Sequence, residues 1–526
     1  MKTMLQQILL NSLFVVVSVT VTIAQPVAQS KWVYMDATGK LVYKTLEAGD
    51  KIMDFSYAGY MGGGIAIPSV PVMITITPVA GDNSDAIQKA IDAIAQMKIV
   101  NGFRGTVMLG PGTYDCEKTI NINASGVVLR GSGSGEKGTI LNLTGKPHAC
   151  VTVKGNISSK VVGESTIIAD NYVACGSNSF NLVNAAAFAI GDTIRITRTI
   201  TDEWIKFMGM DQLVRGGKKQ TWISGNIITE RIIKKTAQNK ITVDVPLNDS
   251  YDAKYTGPGG VTVQKITASG ELSQIGIEDF RIVSPEQSVT INDGHHRAFT
   301  MSGVTDGWAR NLEIFNTVNS ISITGKRITV DNVSIIHNLP TIGAAKPADL
   351  NGSGQQVLFN HCSIKGDNLF FFGTGAKVTG PVVVLNCVFQ GNGWIQPHQR
   401  WATGLLIDGC QVPDGGIDFM NRGVMGSGHG WAIGWAVAWN CKAKTYLNQL
   451  PPGAANWVIG SSGGQQKKSM PGAGQGSAIS YDNSLLPEGI YDSYSVPVTP
   501  LSLYLAQLQE RLGKQAVENI GYKNYP

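Results

Sequence analysis

Four stretches of this chain end in the same way: Gln355-Gln-Val-Leu-Phe-Asn-His-Cys362, Pro381-Val-Val-Val-Leu-Asn-Cys387, Gly404-Leu-Leu-Ile-Asp-Gly-Cys410 and Trp435-Ala-Val-Ala-Trp-Asn-Cys441. Each contains an apolar run, then a polar or small residue, then cysteine. Less regular versions of the phrase surround Asp279, Asn311 and Asn332, and the middle residues recur every 21 to 32 positions. A period of this length with a strand in each unit is typical of a β-solenoid.

The last residue of each phrase is predicted to lie inside the solenoid, one per coil. These residues are Phe280, Leu312, Val333, Cys362, Cys387, Cys410 and Cys441. Coils are expected ~4.8 Å apart, the ordinary interstrand spacing. The four cysteines therefore predict a ladder of small apolar side chains, since a Cys₄ metal site needs ligands that converge on one point.

The composition agrees with an all-β chain that has many tight turns. Of 526 residues 62 are glycine, and only 15% are charged against roughly a quarter in ordinary globular proteins. The formal charge of +5 is small for this length, and no run of Lys or Arg marks a nucleic-acid-binding tail. We therefore expect no nucleic-acid partner.

The N-terminus has the pattern of an export signal. Lys2 precedes a largely apolar stretch at 8–23, and Ala24 stands at a plausible cleavage point. A membrane anchor is the alternative, but the stretch is short and carries several polar residues. We expect residues 1–24 to be removed and the protein to be secreted or periplasmic, with no membrane segment after cleavage.

The rest of the chain divides into four predicted regions: an N-terminal segment with a helix and the first coils (25–180), an inserted β module (181–270), the main solenoid (271–490) and a C-terminal helix with its tail (491–526). Apolar positions predict helices over 85–97 and from Thr499-Pro500 to Gly513. Both helices are expected to cover open ends of the solenoid. The basic centre of the module is interpreted as a solvated face.

Four stretches then carry a resemblance: Asp54-Phe-Ser-Tyr-Ala-Gly-Tyr-Met-Gly-Gly-Gly-Ile-Ala-Ile-Pro68, Gly81-Asp-Asn-Ser-Asp-Ala-Ile-Gln88, the segment from Gly105-Thr-Val to Gly112-Thr-Tyr114, and Ser125-Gly-Val-Val-Leu-Arg-Gly131. They resemble the entry segments of the pectate-lyase-like superfamily. The resemblance implies a right-handed parallel β-helix of an exported polysaccharide-active protein. It does not select a reaction, because that superfamily includes polysaccharide lyases, glycoside hydrolases, epimerases and phage tailspikes.

Motifs of the individual subfamilies are mostly missing. Gly428-His429-Gly430 matches one motif of polygalacturonase-type hydrolases, but the chain has no Asn-Thr-Asp and no Asp-Asp. The paired carboxylates of such hydrolases are therefore not in their expected places. The pattern of calcium-dependent pectate lyases is also not evident, so we predict no cofactor and assign no calcium or other metal ligands.

Histidines concentrate in one part of the chain, since six of the seven lie between 295 and 429. His398 and His429 each precede the middle residue of a repeat phrase by 11 positions, and Arg400 and Trp431 each precede it by nine. Residues two apart on a strand share a face. The register therefore predicts that His398 stacks beside His429, and Arg400 beside Trp431, on adjacent coils. The alternative is an accidental alignment of turn residues.

The stacked residues around His398 and His429 predict a groove on the solenoid, and this groove suits lyase chemistry on a uronic-acid polymer. Arginine pairs with a carboxylate through two N–H groups, and histidine moves protons near neutral pH. The predicted catalytic residues are His398, Arg400, His429 and Arg422. The predicted substrate-binding residues are Trp401, Trp431, His295, His296, Arg297 and His337. A hydrolase whose acids lie elsewhere and a non-catalytic glycan-binding protein remain as alternatives.

Overall fold

The computed structural model describes residues 27–290, 293–340, 348–367, 370–467 and 486–525. The predicted signal at 1–24 lies outside these residues. Twenty-seven strands form one continuous, parallel-paired sheet that winds into a right-handed parallel β-helix. Its strands stack in three ladders, which are the three faces of the solenoid.

Each strand belongs to one ladder or bends from one ladder into the next. The first ladder has Val72–Ile76, Gly105–Leu109, Val127–Arg130, Gln355–Asn360, Thr379–Leu385, Ala402–Asp408, Ile433–Gly434, Val437–Trp439, Trp457–Ile459 and Ile490–Asp492. The second has Gly112–Cys116, Thr139–Leu143, Ser363–Lys365 and Val388–Gln390. The third has Ile120–Ile122, Ala149–Lys154, Arg297–Ser302, Ile321–Ile323, Leu350–Gly352, Phe370–Gly373 and Trp394–Ile395. Leu272–Val283, Val304–Phe315 and Lys326–Ile336 bend from the first ladder into the second, and Gln411–Phe419, Lys442–Asn448 and Ser462–Gln466 from the second into the third.

The middle residue of the repeat phrase forms the corner between the first and second ladders. In all seven phrases this residue has a positive φ, between 48° and 65°. Asn and Asp tolerate the left-handed conformation better than other residues with a Cβ, and glycine adopts it freely. The side chains also bond along the axis, because Asn311 Nδ2 donates to Asp279 Oδ1 (2.8 Å) and Asn332 Nδ2 to Asn311 Oδ1 (3.0 Å). The repeat is thus a corner motif.

The predicted interior ladder is confirmed. Phe280 pairs with Leu312, and Leu312 with Val333, on successive coils. The four cysteines that follow are at most 1% exposed and lie in the same core cluster. All seven cysteines of the chain are buried free thiols, which agrees with packing as their role.

The inserted module is larger than predicted. Its six-stranded antiparallel sheet consists of Ser158–Ile167, Ser179–Asn181, Thr193–Thr199, Asn226–Ala237, Lys240–Val243 and Val261–Ser269. Two short antiparallel strand pairs accompany it: Tyr172–Val173 with Tyr251–Asp252, and the hairpin of Val214–Arg215 with Lys218–Lys219. The module begins near 158 instead of 181, because Ser158–Ile167 pairs with Val261–Ser269 across the whole insertion. The sequence pattern of that first strand does not distinguish it from the coils before it.

The helices are Ser84–Ala95, Asp202–Phe207, Leu503–Leu512 and Lys514–Asn519, with 3₁₀ turns at Tyr60–Gly62 and Ala253–Tyr255. The first helix covers the N-terminal end of the solenoid, since Ile87, Ile91 and Ile94 join its core. The expectation that Leu503–Leu512 covers the other end is wrong. Its apolar face packs on the outer side of the first ladder, against Trp439 and residues of the N-terminal strap at 50–62.

The same covering layer contains that strap and two further pairs of strands. These are Val498–Thr499 with Ala28–Gln29, and the hairpin of Val33–Met35 with Leu41–Tyr43.

None of the helices in the described part of the chain is long and apolar enough to cross a membrane.

Candidate functional site

The candidate site lies where the chain passes from the third ladder to the first. His398 follows the strand Trp394–Ile395, and His429 lies one coil further on. Ala402 pairs with Ile433, which is the register that places His398 beside His429. The centroids of the two imidazole rings are 4.7 Å apart. The structure therefore brings together the two histidines that the spacing related.

Arg422 lies close to both histidines. Its guanidinium carbon is 5.5 Å from the centroid of the Phe370 ring, and the ring of His398 meets the same phenyl ring edge-on at 6.3 Å. The residue is only 5% exposed, yet its Nε and Nη1 have no hydrogen-bond partner among the described residues. Unpaired N–H groups of a buried guanidinium are costly, and an anionic ligand with two oxygens would satisfy them.

A carboxylate completes the group. Gln396 lies two residues before His398, and its Nε2 donates to Asp418 Oδ2 on the next coil at 2.8 Å. Both side chains are 1% exposed. The negative charge of Asp418 raises the pKa of Arg422, but burial has the larger effect and lowers that pKa to about 10. Asp418 therefore partly balances the positive charge of the site.

Both histidines are neutral in this environment. Burial, with the charge of Arg422 and the neighbouring His429 and Arg400, lowers the pKa of His398 from 6.5 to about 2. Burial, with the charges of Arg422, Arg400 and Arg215, lowers the pKa of His429 to about 3. Nearby cations disfavour a second positive charge. An anion bound at Arg422 would offset these cations and raise both pKa values.

Arg400 does not face this group as the sequence predicted. Its Nε donates to the carbonyl of Trp222 in the inserted module (2.6 Å), and its Nη2 donates to the hydroxyl and carbonyl oxygens of Ser427 (2.7 and 3.1 Å). Most of its N–H groups are therefore used within the protein. Of the two arginines predicted as catalytic, Arg422 and not Arg400 has buried guanidinium N–H groups without a partner among the described residues, which contradicts Arg400 as the first candidate for neutralising a uronate.

The two tryptophans predicted to stack on a sugar are buried. Trp401 is 2% and Trp431 1% exposed, and both pack against Trp204 and Trp222 of the inserted module. The indole N–H of Trp401 donates to Asp249, and that of Trp431 to the carbonyl of Met208. Their role as substrate-binding residues is contradicted, because a sequence-based analysis does not show that the module covers this side of the solenoid.

The other predicted histidines form separate groups. His296 is 5% exposed and packs against His148 with ring centroids 5.0 Å apart, while His295 Nε2 contacts Arg297 Nε at 3.2 Å. Their strand Arg297–Ser302 lies four positions before Trp394–Ile395 in the third ladder, about 19 Å away at ~4.8 Å per coil. His295, His296 and Arg297 are therefore not part of the His398–His429 group.

His337 lies at the corner between the second and third ladders. Its Nε2 is 2.6 Å from Asp349 Oδ2, and both side chains are buried. Burial lowers its pKa, but the charge and hydrogen bond of Asp349 outweigh this effect and raise the pKa above its ordinary value. A buried imidazole paired in this way does not present itself to a substrate, which contradicts its predicted binding role.

Three residues of the group were missed by the sequence analysis: Phe370, Gln396 and Asp418. Gln396 carried a usable signal, because it lies two positions before His398. Asp418 did not, since its place beside Gln396 depends on the pairing of Ile395 with Ile417. Among the residues that the structure describes, no group of three or more His, Cys, Asp or Glu side chains is arranged to hold a metal ion.

No protein-family model matches the chain, and neither does any curated protein. Solved structures of low similarity do match. The tailspike of Acinetobacter baumannii bacteriophage AP22, solved with a capsular saccharide, is 11% identical over 80% of this chain and 71% of its own, with a TM-score of 0.27. The adhesin PfbA of Streptococcus pneumoniae is 12% identical over 76% and 82% (TM-score 0.30), and the polygalacturonase of Erwinia carotovora 10% over 77% and 98% (TM-score 0.30).

These scores are too low to transfer any activity. The fold itself follows from the strand pairing, in which three parallel ladders close around one core. The chain therefore folds as a right-handed parallel β-helix.

Proposed function

We propose that the protein cleaves an acidic polysaccharide by β-elimination, outside the cytoplasm. The observation that carries this proposal is the buried guanidinium of Arg422, whose Nε and Nη1 have no partner among the described residues and which lies beside two neutral imidazoles. A uronate carboxylate has the charge and the two oxygens that such a guanidinium binds.

The reaction follows from these groups. Arg422 pairs with the uronate carboxylate and stabilises the negative charge that develops when the C5 proton leaves. One imidazole takes that proton, the electron pair forms the C4–C5 double bond, and the C4–O4 bond breaks. The leaving O4 receives a proton from the other imidazole, whose N–H can donate even when the ring is neutral. The two histidines thus share the base and acid roles, and their order is not assigned.

Substrate binding and base strength are coupled in this arrangement. An imidazole with a pKa of about 2 or 3 is a weak base. The carboxylate bound at Arg422 offsets the charge that depresses these pKa values, so both histidines become stronger bases when an acidic substrate is in place. A neutral polymer would not produce this change.

Glycoside hydrolysis is the second candidate, and Asp418 is the observation in its favour. Hydrolysis of this type usually requires two carboxyl groups on either side of the scissile bond. Among the described residues around His398 and His429, Asp418 supplies one, and it already accepts a hydrogen bond from Gln396. The group therefore fits elimination better than hydrolysis.

The test is incubation of the full-length protein with a panel of acidic and neutral polysaccharides. Elimination gives an unsaturated uronate that absorbs in the ultraviolet, and a new reducing end for each cleavage. New reducing ends without that absorbance would replace elimination by hydrolysis. Binding without cleavage of any polymer would favour a glycan-binding protein. The variant Arg422→Gln should lose acidic-polymer binding.

A further inference from the structure

The segment that carries His429 is a loop outside the ladders. We call residues 421–430 the glycine loop; it links the strand Gln411–Phe419 to Ile433–Gly434. Its own hydrogen bonds close it, such as Arg422 N to Gly430 O (2.7 Å) and His429 N to Met425 O (3.1 Å). Ladder pairing begins only after the loop, where Ala402 pairs with Ile433, and within the loop one backbone hydrogen bond reaches the coil of His398, from Arg400 N to His429 O (3.1 Å).

The inserted module supplies further contacts, which reach the glycine loop and its C-terminal end from the other side. Arg215 Nη1 of its short hairpin donates to the carbonyl of Gly426, and Trp222 Nε1 donates to the carbonyl of Trp431 at 3.2 Å. Arg400 joins the two bodies, because the same guanidinium bonds Trp222 in the module and Ser427 in the glycine loop. The loop is therefore held on one side by residues that are about 200 positions away in the sequence.

We propose that the inserted module positions His429, and that Arg215, Trp222 and Arg400 form a clamp on the glycine loop for this purpose. These three are positioning residues, since Arg215 and Arg400 bond the glycine loop and Trp222 bonds the residue just after it, Trp431. Among the described residues no contact joins any of the three to the guanidinium of Arg422. The inference rests on the proposed use of His429 in catalysis. It assigns the module a role in the activity, where its basic residues alone indicated a solvated face.

The positive charges of Arg400 and Arg215, two residues of the clamp, also act on His429. Arg400 and Arg215 both lower the pKa of His429, after burial and Arg422. The titratable and charged groups that act on the His429 ring are thus His398, which contacts it, and the charges of Arg422, Arg400 and Arg215. Loss of Arg215 is expected to do two things: release the Gly426 carbonyl and raise the pKa of His429.

The decisive variant is Arg215→Ala in the full-length protein, with Lys218→Ala as its matched control. Lys218 is an exposed cation on the same hairpin, and no contact between it and the glycine loop is found among the described residues. Arg215→Lys is the conservative variant, which keeps the charge and one donor. The readouts are the thermal midpoint, the ring signals in NMR spectra of histidine-labelled protein, and kcat and KM on the polymer identified above. The variant His429→Gln assigns the His429 signal.

Arg215→Ala should keep the thermal midpoint, shift the His429 ring signal and raise its pKa. Its kcat should fall by up to ~10²-fold, because small displacements of a reacting group cost this much, while KM changes little. Arg215→Lys should recover part of the loss, and Lys218→Ala should behave like the unmodified protein. Combining Arg215→Ala with His429→Ala should add almost nothing to the loss from His429→Ala.

An unshifted His429 signal in folded Arg215→Ala would overturn the clamp, as would an equal effect of Lys218→Ala. The NMR readout does not depend on the reaction. If the unmodified protein cleaves no polymer, the proposed function fails while the histidine signals still decide whether the module positions His429.

Discussion

The guanidinium of Arg422 lies over the ring of Phe370, 5.5 Å from its centroid, on a chain segment 52 residues further along. The phenyl ring also meets His398, so one aromatic side chain contacts both the cation and an imidazole of the site. This contact holds the guanidinium close to the imidazoles of His398 and His429, and its positive charge opposes their protonation. After burial, the charge of Arg422 is the largest cause of the low pKa of both histidines, and Arg422 is also the residue to which we assign binding of an acidic substrate.

The first prediction concerns that charge. In Arg422→Gln the pKa values of His398 and His429 should both rise from about 2 and about 3 but stay below 6.5, because burial, the larger cause, remains when the cation that disfavours their protonation is gone. Histidine NMR titration measures both values. Arg422→Lys keeps the charge without the planar fork, so both pKa values should stay low while KM for an acidic polymer rises by ~10–100-fold. Unchanged KM in both variants would remove Arg422 from the substrate site.

The second prediction concerns proton transfer. His398→Ala and His429→Ala should each reduce the rate of unsaturated product formation by ~10²–10⁴-fold, the usual effect of losing a general acid or base. The thermal midpoint should change little in comparison. His361→Ala is the control, because its ring stacks on Tyr522 at the corner between the first and second ladders. A normal rate in either site variant would show that this histidine transfers no proton.

The third prediction is a loss of stability in acid. The folded-state pKa of His429 is about 3, below its ordinary value of 6.5, so the unfolded chain binds a proton that the folded protein does not. The stabilisation is complete above pH 6.5 and decreases as pH falls toward 3, by about 1.4 kcal/mol per pH unit for this residue. Urea unfolding at about pH 5 should therefore show His429→Gln to be less acid-sensitive than the unmodified protein by about 2 kcal/mol.

The unmodified protein, measured over the same pH range, is the reference for that comparison. An identical pH dependence of unfolding in His429→Gln would mean that the imidazole is not buried beside these cations.

The fourth prediction separates steric displacement from backbone strain. A Cβ at Gly426 would overlap Nε2 of His429, whereas one at Gly163 would meet no atom within 4 Å; both glycines have a positive φ (59° and 74°). Gly426→Ala and Gly163→Ala should therefore lose similar stability, about 1–2 kcal/mol from the strained backbone. Activity should fall only in Gly426→Ala, where the ring is pushed aside. Equal activity in the two variants would show that the position of this ring is not critical.

The fifth prediction tests the corner motif. Asn311 has a φ of 54° and donates to Asp279. Both Asn311→Gly and Asn311→Ala lose the hydrogen bonds, but only alanine strains the left-handed corner. Urea unfolding should show Asn311→Ala to be less stable than Asn311→Gly by about 1–2 kcal/mol. Equal stability would mean that the hydrogen-bonded ladder, and not the backbone conformation, selects Asn at this position.

The sequence by itself determined the solenoid and one pair of site residues. A coil repeats the same backbone path, so its corner residues and core residues recur at similar intervals, and Cys387 and Cys410 could be placed on one interior line. The same regularity placed His398 beside His429, because both are counted from the same corner of adjacent coils. The number of residues between such positions therefore predicts which side chains lie together on adjacent coils.

Only the tertiary structure decided what surrounds that pair. Trp401 and Trp431 looked like exposed rings, but the inserted module buries them, and the contacts that do so join residues about 200 positions apart. Asp418 enters the site through pairing between coils of unequal loop length, and Arg400 turns away from it to bond Trp222. The direction and the burial of a side chain depend on which distant segments pack together. The repeat of the coils along the sequence does not predict that packing.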